Sequence, residues 1–194
     1  MTLLTPIKNN TFQVIGGKYR GRKFSFPDVD GLRPSSSKVR ETLFNWIQFK
    51  THGKNFLDLF SGSGALSFEA LSRGAKQVTS IEKNTNAFKS LEKNKQLLEV
   101  NNLAIFNQDA FVFLDKKPIT PFDFILLDPP FNKNYLTKVL KLISENDFVV
   151  TGSKIYIESE FEITTDFLKD SSLQTSIINK QKKSGAVHYC LIQL

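Results

Sequence analysis

From residue 55 onward, short apolar runs alternate with amphipathic stretches along the chain. Two of the apolar runs, FLDLF and FDFILL, are typical of strands that are covered on both faces of a sheet. The predicted strands cover residues 56–60, 77–81, 103–107, 122–127 and 154–158, and the predicted helices cover residues 65–73, 85–100, 110–116 and 135–144. Strands joined by crossover helices predict an α/β fold with a mainly parallel, doubly wound sheet.

Each end of the chain carries a hairpin pattern. Near the N-terminus, strand-like residues 12–15 and 22–26 flank a glycine-containing turn with Tyr19 near its tip. A lone hairpin is marginally stable in water, so this one must lean on the main domain or on a ligand. Near the C-terminus, strand-like runs at 173–179 and 186–194 flank a basic turn at 180–185. This pattern predicts an antiparallel hairpin at the end of the sheet.

A helix is predicted from the serines at 35–37 to about Gln48. Its apolar face contains Val39, Leu43, Phe44 and Ile47, and Arg40 lies off that stripe. The hairpin and this helix form a small N-terminal extension, residues 1–50, and residues 51–194 form the main domain.

The positive charge is concentrated in the N-terminal extension. Residues 1–40 hold eight basic and two acidic side chains, which is +6 of the formal net charge of +7. A localised basic segment indicates a polyphosphate partner, and we favour nucleic acid over a solvated tail. Arg33 and Arg40 either reach a phosphate or pair with carboxylates. The basic and aromatic candidates for RNA binding are Lys18, Tyr19, Arg20, Arg22, Lys23, Arg33 and Arg40.

The composition excludes several other classes of protein. A single cysteine, Cys190, permits no internal disulfide, and it and the two histidines have no metal-ligand spacing, so we expect no metal. No apolar run is long enough to span a membrane, and the N-terminus does not resemble a signal peptide. We therefore expect a cytoplasmic protein that has no contact with membranes. We also expect a monomer, although this expectation does not follow from the composition.

A glycine turn between a strand and a helix predicts a nucleotide-cofactor cradle. After Asp58, the turn Ser61-Gly62-Ser63-Gly64 lets the backbone approach a ligand, and the helix that follows presents free N–H groups. The third glycine of a dinucleotide site and the G-K-[ST] of a P-loop are both absent. Asp58 suits a cofactor that carries an ammonium or sulfonium cation. S-adenosylmethionine carries both.

Acidic residues stand at the ends of four predicted strands. They are Asp58, Glu82, Asp109 and Asp128. Because ligands bind at the carboxyl ends of parallel strands, the four together favour one shared site, although Asp109 could also be a helix N-cap. Glu82 is placed to accept hydrogen bonds from a ribose diol.

The segment Asp128-Pro129-Pro130-Phe131 follows an apolar strand. Two prolines cannot continue a strand ladder, so they make a rigid turn with unpaired carbonyls. The Asp128 carboxylate and the Pro129 carbonyl can both accept from one exocyclic NH2 group, and Phe131 can stack on a planar base. This arrangement favours methyl transfer to an amine of a base, in which the protein mostly positions the reactants.

The glycine loop and DPPF together resemble the class I amino-methyltransferases that use S-adenosylmethionine and have a Rossmann-like fold. The blocks VIGGKYRGRK, GLRP, VRETLFNW, IEKN and IYIESE further resemble the bacterial RsmD family, which methylates N2 of one guanine in 16S ribosomal RNA.

This resemblance implies 16S rRNA or the small ribosomal subunit as the partner, and a basic hairpin that holds RNA. It implies Asp128, Pro129, Pro130 and Phe131 as the catalytic motif. The implied cofactor-binding residues are Asp58, Phe60, Ser61, Gly62, Ser63, Gly64, Glu82, Lys83, Asp109 and Ala110.

Three alternatives stay open at this point. A DNA adenine or cytosine amino-methyltransferase shares DPPF but normally needs a target-recognition region, for which 194 residues leave little room. A catalytically silent RNA-binding ribosome-assembly protein would have no need of an intact DPPF. A dinucleotide-dependent oxidoreductase is disfavoured by the missing third glycine.

Overall fold

The computed structural model describes residues 9–29 and 36–194. The predicted contribution of Arg33 therefore lies outside the described residues. The strands are β1 (Asn9–Gln13), β2 (Lys23–Pro27), β3 (Asn55–Asp58), β4 (Gln77–Ile81), β5 (Leu103–Phe106), β6 (Phe124–Leu127), β7 (Lys154–Ser159), β8 (Ile177–Ser184) and β9 (Val187–Gln193). The helices are α1 (Ser37–Trp46), α2 (Ala65–Ser72), α3 (Thr85–Leu98), α4 (Ala110–Leu114), α5 (Tyr135–Glu145) and α6 (Thr165–Asp170).

The main sheet has seven strands in the order β5-β4-β3-β6-β7-β9-β8. The strands from β5 to β7 are mutually parallel, whereas β9 is antiparallel to β7 and β8 is antiparallel to β9. The predicted α/β fold, with its antiparallel hairpin at one end of the sheet, is confirmed. Strand order reverses between β3 and β6, so the crevice at their carboxyl ends is the place where a doubly wound sheet binds its ligand.

Alternate residues of each central strand enter different cores. Phe56, Phe124 and Tyr156 lie in the core beneath the N-terminal hairpin and the helices α1 to α3. Their chain neighbours Leu57 and Ile125 lie in the opposite core, beneath α4, α5 and α6. This division follows from the two-residue period of a strand. It explains why apolar residues occupy successive positions in the middle of these strands.

The N-terminal hairpin is fastened to α2. Phe24 stacks on Phe68 at 4.8 Å between ring centroids. The buried carboxylate of Glu69 accepts from the backbone N–H groups of Ile15 (2.8 Å) and Gly16 (2.9 Å). The expectation that the hairpin leans on the main domain is therefore confirmed.

The predicted strand bounds of this hairpin are wrong by a few residues. The strands are β1 and β2, and residues 15–19 leave the ladder to lie along α2. Tyr19 is half-buried there rather than at a free tip, and its N–H donates to the Ser72 hydroxyl at 2.9 Å. The reason is tertiary, because α2 offers acceptors that compete with the strand ladder.

Two features near the C-terminus also differ from the prediction. The basic run placed in a turn at 180–185 belongs largely to β8, and the turn contains only Gly185 and Ala186. Because β8 is the edge strand, its lysines can face solvent while its backbone pairs with β9 alone. Helix α6 has no counterpart among the predicted helices, although Thr164 caps it by accepting from Phe167 N at 3.2 Å.

Candidate functional site

The glycine turn connects β3 to α2 at the reversal point of the sheet. Gly62 and Gly64 both have positive φ, +51° and +81°, a conformation that other residues adopt only with strain. A Cβ on Gly64 would lie 2.3 Å from Leu91 Cδ2. The turn is held by Ser61 N–H donating to Ile81 O (3.0 Å) and by Gly64 N–H donating to Ser61 O (2.7 Å). These contacts fix its shape against β4 and α3.

Glu82 ties this turn to the end of β4. One carboxylate oxygen accepts from Gly62 N at 2.7 Å and the other from Asn84 N at 2.6 Å. Burial raises the pKa of Glu82, while the backbone donors of Asn84 and Gly62 oppose that rise. The structure thus brings Glu82 beside the glycine turn, as strand order predicts. Its contact with a ribose stays a prediction.

Asp58 is a buried carboxylate at the base of the cradle. Its Oδ2 accepts from Ser67 Oγ at 2.6 Å, and Oδ1 lacks a hydrogen bond of normal geometry among the described residues. Burial raises the pKa of Asp58 to about 7. The hydroxyl of Ser67 and the nearby N–H of Phe60 lower it, whereas the charges of Asp128 and Glu82 raise it. An under-paired buried carboxylate of this kind fits a cationic group in the cofactor.

The ends of β4 and β5 meet at the rim of the cradle. Asp109 is the N-cap of α4, since it accepts from Phe111 N at 2.9 Å. Its other carboxylate oxygen pairs with Lys83 Nζ at 2.9 Å, which lowers the pKa of Asp109 and raises that of Lys83. Ala110 is buried directly behind this pair. Asp109 therefore caps a helix and lies beside the predicted cofactor site at the same time.

The DPPF segment leaves β6 next to this cradle. Asp128 and Phe131 are half-buried, Pro129 is buried and Pro130 is exposed. Asp58 pairs with Leu126 across β3 and β6, so Asp128 follows β6 near Asp58. Its charge contributes to the raised pKa of both Asp58 and Tyr156. The structure thus joins the two motifs that the sequence separates by seventy positions.

A cavity of about 150 Å³ opens beside the two prolines. Its walls include Pro129, Pro130, Tyr135, Glu160, Phe161 and Phe167. The sequence does not identify four of these as site residues, namely Tyr135, Glu160, Phe161 and Phe167. Glu160 directly follows β7, but the predicted strand ends at Glu158, so the strand-end argument would have pointed to Glu158 instead. The aromatic residues have no such signal, because their convergence depends on how α5 and α6 pack.

Most of the basic residues proposed for RNA binding are exposed. Lys18, Arg20, Arg22 and Lys23 lie on the outer surface of the hairpin. Arg22 Nη2 donates to Leu97 O at 3.2 Å, and Lys18 Nζ lies 5.2 Å from the centre of the Tyr19 ring. Lys23 also borders a cleft of about 390 Å³ that reaches the N-terminus of α1.

Arg40 is buried, which contradicts its predicted role in RNA binding and supports the alternative that it pairs with a carboxylate. The helical period places it on a polar face within reach of phosphate, but its relative exposure is 1%. Its guanidinium lies 3.7 Å from Glu69 Oε2, donates to Gln13 O at 3.1 Å and stands over the Phe12 ring. The burial of Glu69 requires countercharge, which Arg73 supplies at 2.8 Å and Arg40 supplies at 3.7 Å between the hairpin, α1 and α2. Burial lowers the pKa of Arg40, and Glu69 opposes that change.

Comparison with known proteins assigns the chain to a family. The family model described as "Conserved hypothetical protein 95" matches residues 12–193. The protein is 38% identical to ribosomal RNA small subunit methyltransferase D of Haemophilus influenzae, in an alignment of 195 positions that covers 97% of each chain. The identity to the protein of that name from Escherichia coli is 39%, over 93% of this chain and 89% of the other.

This chain belongs to the ribosomal RNA small subunit methyltransferase D family. A solved structure agrees: the putative methyltransferase yhhF of Escherichia coli superposes with a TM-score of 0.84 at 38% identity, covering 95% of this chain and 98% of that one. Membership of the methyltransferase D family makes the protein a methyltransferase, with S-adenosylmethionine as its cofactor. The cradle fits this donor, because Asp58 provides a buried anionic atom for a cation.

The described part of the chain contains neither a metal cluster nor a membrane-spanning helix. Within residues 9–29 and 36–194, no three His, Cys, Asp or Glu side chains converge as a metal site would require. No helix in the same ranges is both long enough and apolar enough to cross a bilayer.

Proposed function

We propose that this protein transfers the methyl group of S-adenosylmethionine to the exocyclic N2 of a guanine in 16S rRNA of the small ribosomal subunit. The observation that supports this most is the DPPF segment beside the Asp58 cradle, in a chain related over its length to methyltransferase D. We further propose that it acts in the cytoplasm as a monomer and needs no metal.

In the proposed mechanism, the protein acts mainly by positioning the amine of the base against the methyl group. The lone pair of a guanine N2 amine is delocalised into the ring, so the amine is a poor nucleophile. The Asp128 carboxylate and the Pro129 carbonyl would accept its two hydrogens and favour a pyramidal nitrogen whose lone pair is aimed at the methyl carbon. When bound, S-adenosylmethionine would supply an electrophilic methyl group and a thioether leaving group, and the methylated amine would release its proton to water. Correct orientation alone can supply several kcal/mol of the barrier, up to about 7–11 kcal/mol in well-oriented systems.

The N-terminal extension would hold the RNA. Lys18, Arg20, Arg22 and Lys23 are exposed on one docked hairpin, which suits sequence-independent contact with phosphates. Phosphate contacts leave the choice of base to the catalytic pocket. The target guanine would be unstacked from its neighbours and would lie against Phe131, as enzymes that modify bases require. Residues 1–50 thus form the proposed RNA-binding extension and residues 51–194 the methyltransferase domain.

The direct test is methyl transfer from labelled S-adenosylmethionine to small ribosomal subunits that lack the mark, followed by mapping of the modified nucleotide. We expect label at one guanine N2 with the wild-type protein. Asp128→Ala should lower kcat by about 100-fold or more, the scale expected when one transition-state contact is removed. Asp115→Ala, at the exposed C-terminal end of α4, is the matched control and should behave as wild type.

Three results would count against this proposal. Full activity of Asp128→Ala would remove the role given to DPPF. Cofactor binding without turnover on any rRNA substrate would instead favour a silent RNA-binding protein. Label on DNA but not on rRNA would point to the DNA amino-methyltransferase.

A further inference from the structure

We infer that Glu160 reads the Watson–Crick edge of the target base and selects guanine by accepting a hydrogen bond from its N1–H. This inference rests on the proposed function, because it deepens the account of the acceptor site. It adds a specificity-determining residue outside the DPPF motif.

Glu160 lies across the cavity from Pro129 and Pro130. It follows β7, which is the sheet neighbour of β6, so its backbone is held beside the strand that carries DPPF. Three of the other residues that line the cavity are aromatic, namely Tyr135, Phe161 and Phe167, and Phe161 and Phe167 contact edge to face at 5.2 Å between centroids. Leu136 and the polar Asn134 and Thr137 complete the lining. A cavity with aromatic walls and one carboxylate suits a planar ring that carries N–H donors.

The orientation of the Glu160 side chain is fixed by the DPPF loop itself. Its Oε1 accepts from Asn132 N at 2.8 Å, immediately after Phe131. Among the described residues Oε2 makes no hydrogen bond or ion pair, so this oxygen can accept from a ligand. Asn132 and Asn134 both have positive φ, +60° and +52°, which indicates a loop held in an uncommon conformation. Glu160 therefore contacts the segment that would position the amine.

The chemistry of the three amino-bearing bases makes this carboxylate selective. In guanine, two ring nitrogens flank the carbon that bears the N2 amine: N1 carries a hydrogen, and N3 is an acceptor. In adenine and cytosine, the ring nitrogen beside the amine is an acceptor. An ionised carboxylate only accepts hydrogen bonds, so it pairs with guanine N1–H and repels the lone pair of the other two bases. The DPPF motif alone does not make this distinction, because all three bases offer the same NH2 group.

The test replaces Glu160 with Gln and changes the target base. Once the methylated position is mapped, subunits are reconstituted with guanine or 2-aminopurine there. The latter keeps the amine, but its N1 is an acceptor. Glu160→Gln keeps an oxygen for Asn132 N–H and gains an NH2 donor. We expect kcat/KM for guanine to fall on the order of 10- to 100-fold, the effect of one hydrogen bond to a charged group. The ratio of kcat/KM for guanine to kcat/KM for 2-aminopurine should fall by at least the same factor.

Controls separate base reading from a structural role. Glu162→Gln, two residues further on and exposed, should keep the wild-type ratio. The affinity of Glu160→Gln for S-adenosylmethionine should equal that of wild type. A wild-type ratio in Glu160→Gln would overturn the inference, and so would equal losses on both bases. If the wild-type protein methylated no guanine in any subunit, the proposed function itself would fail.

Discussion

Removal of the Glu69 carboxylate should cost this protein a large part of its stability. Glu69 is fully buried, accepts from two backbone N–H groups of the hairpin, and faces Arg40 at 3.7 Å and Arg73 at 2.8 Å. Glu69→Ala would leave those N–H groups without their acceptor and Arg40 buried without its countercharge. Breaking one side of a buried pair typically costs about 3–5 kcal/mol. For a chain of this length that corresponds to a fall in Tm of roughly 6–20 °C.

The assay is urea unfolding followed by circular dichroism, with Glu41→Ala on the exposed face of α1 as the control. A double-mutant cycle with Arg40→Met tests the cause. If the loss of stability comes from the buried, unpaired charge of Arg40, the double variant should lose at least about 1 kcal/mol less unfolding free energy than the two single variants lose in sum. A destabilisation below about 1 kcal/mol in Glu69→Ala, or strictly additive effects, would refute the view that this carboxylate fastens the hairpin to α2.

Three further predictions concern the cradle and the RNA surface. The pKa of Asp58 is raised by burial to about 7, so its protonation stabilises the protein without cofactor below the unfolded pKa near 4, and this contribution disappears as pH rises through about 7. Between pH 4 and pH 8, the free energy of unfolding measured in urea should therefore fall by up to about 4 kcal/mol more for wild type than for Asp58→Asn. Parallel pH profiles of the two proteins would contradict the burial of the Asp58 carboxylate. Gly64→Ala adds a 2.3 Å clash to strain at positive φ and should weaken cofactor binding in calorimetry, whereas Gly152→Ala, with positive φ but open space, should leave that binding unchanged. Replacing Lys18, Arg20, Arg22 and Lys23 by Ala should weaken rRNA binding and flatten its salt dependence by about 0.7–0.9 for each phosphate that the variant no longer neutralises. Lys141→Ala, which changes an exposed lysine of α5, is the control; an unchanged salt slope in the fourfold variant would place the RNA elsewhere.

The cradle and DPPF could be predicted because their signals are local. Gly62 and Gly64 mark a turn between a strand and a helix, and Pro129 and Pro130 end a strand wherever they occur. Parallel strands then bring their carboxyl ends to one edge, so Asp58 and Asp128 meet as a consequence of topology. The same argument points to Glu158 at the end of the predicted strand 154–158, and it therefore misses Glu160.

Other features could not be predicted, since they depend on a partner distant in sequence. The helical period places Arg40 off the apolar stripe, and only the packing of α2 against the hairpin makes that position a buried countercharge for Glu69. The lysines of β8 form a basic run that resembles a turn in the sequence. Only the sheet order shows that they belong to an edge strand paired with β9.

The sequence alone determined the α/β class, the cofactor cradle and the amine-positioning motif, because each depends on periodicity or on the backbone limits of glycine and proline within a few residues. Only the tertiary structure decided which charges are buried, where the cavity beside DPPF lies, and that Glu160 contacts the DPPF loop. Those outcomes depend on contacts between elements that are remote along the chain. Burial changes the free energy of a charged side chain far more than the residues adjacent to it in the sequence do.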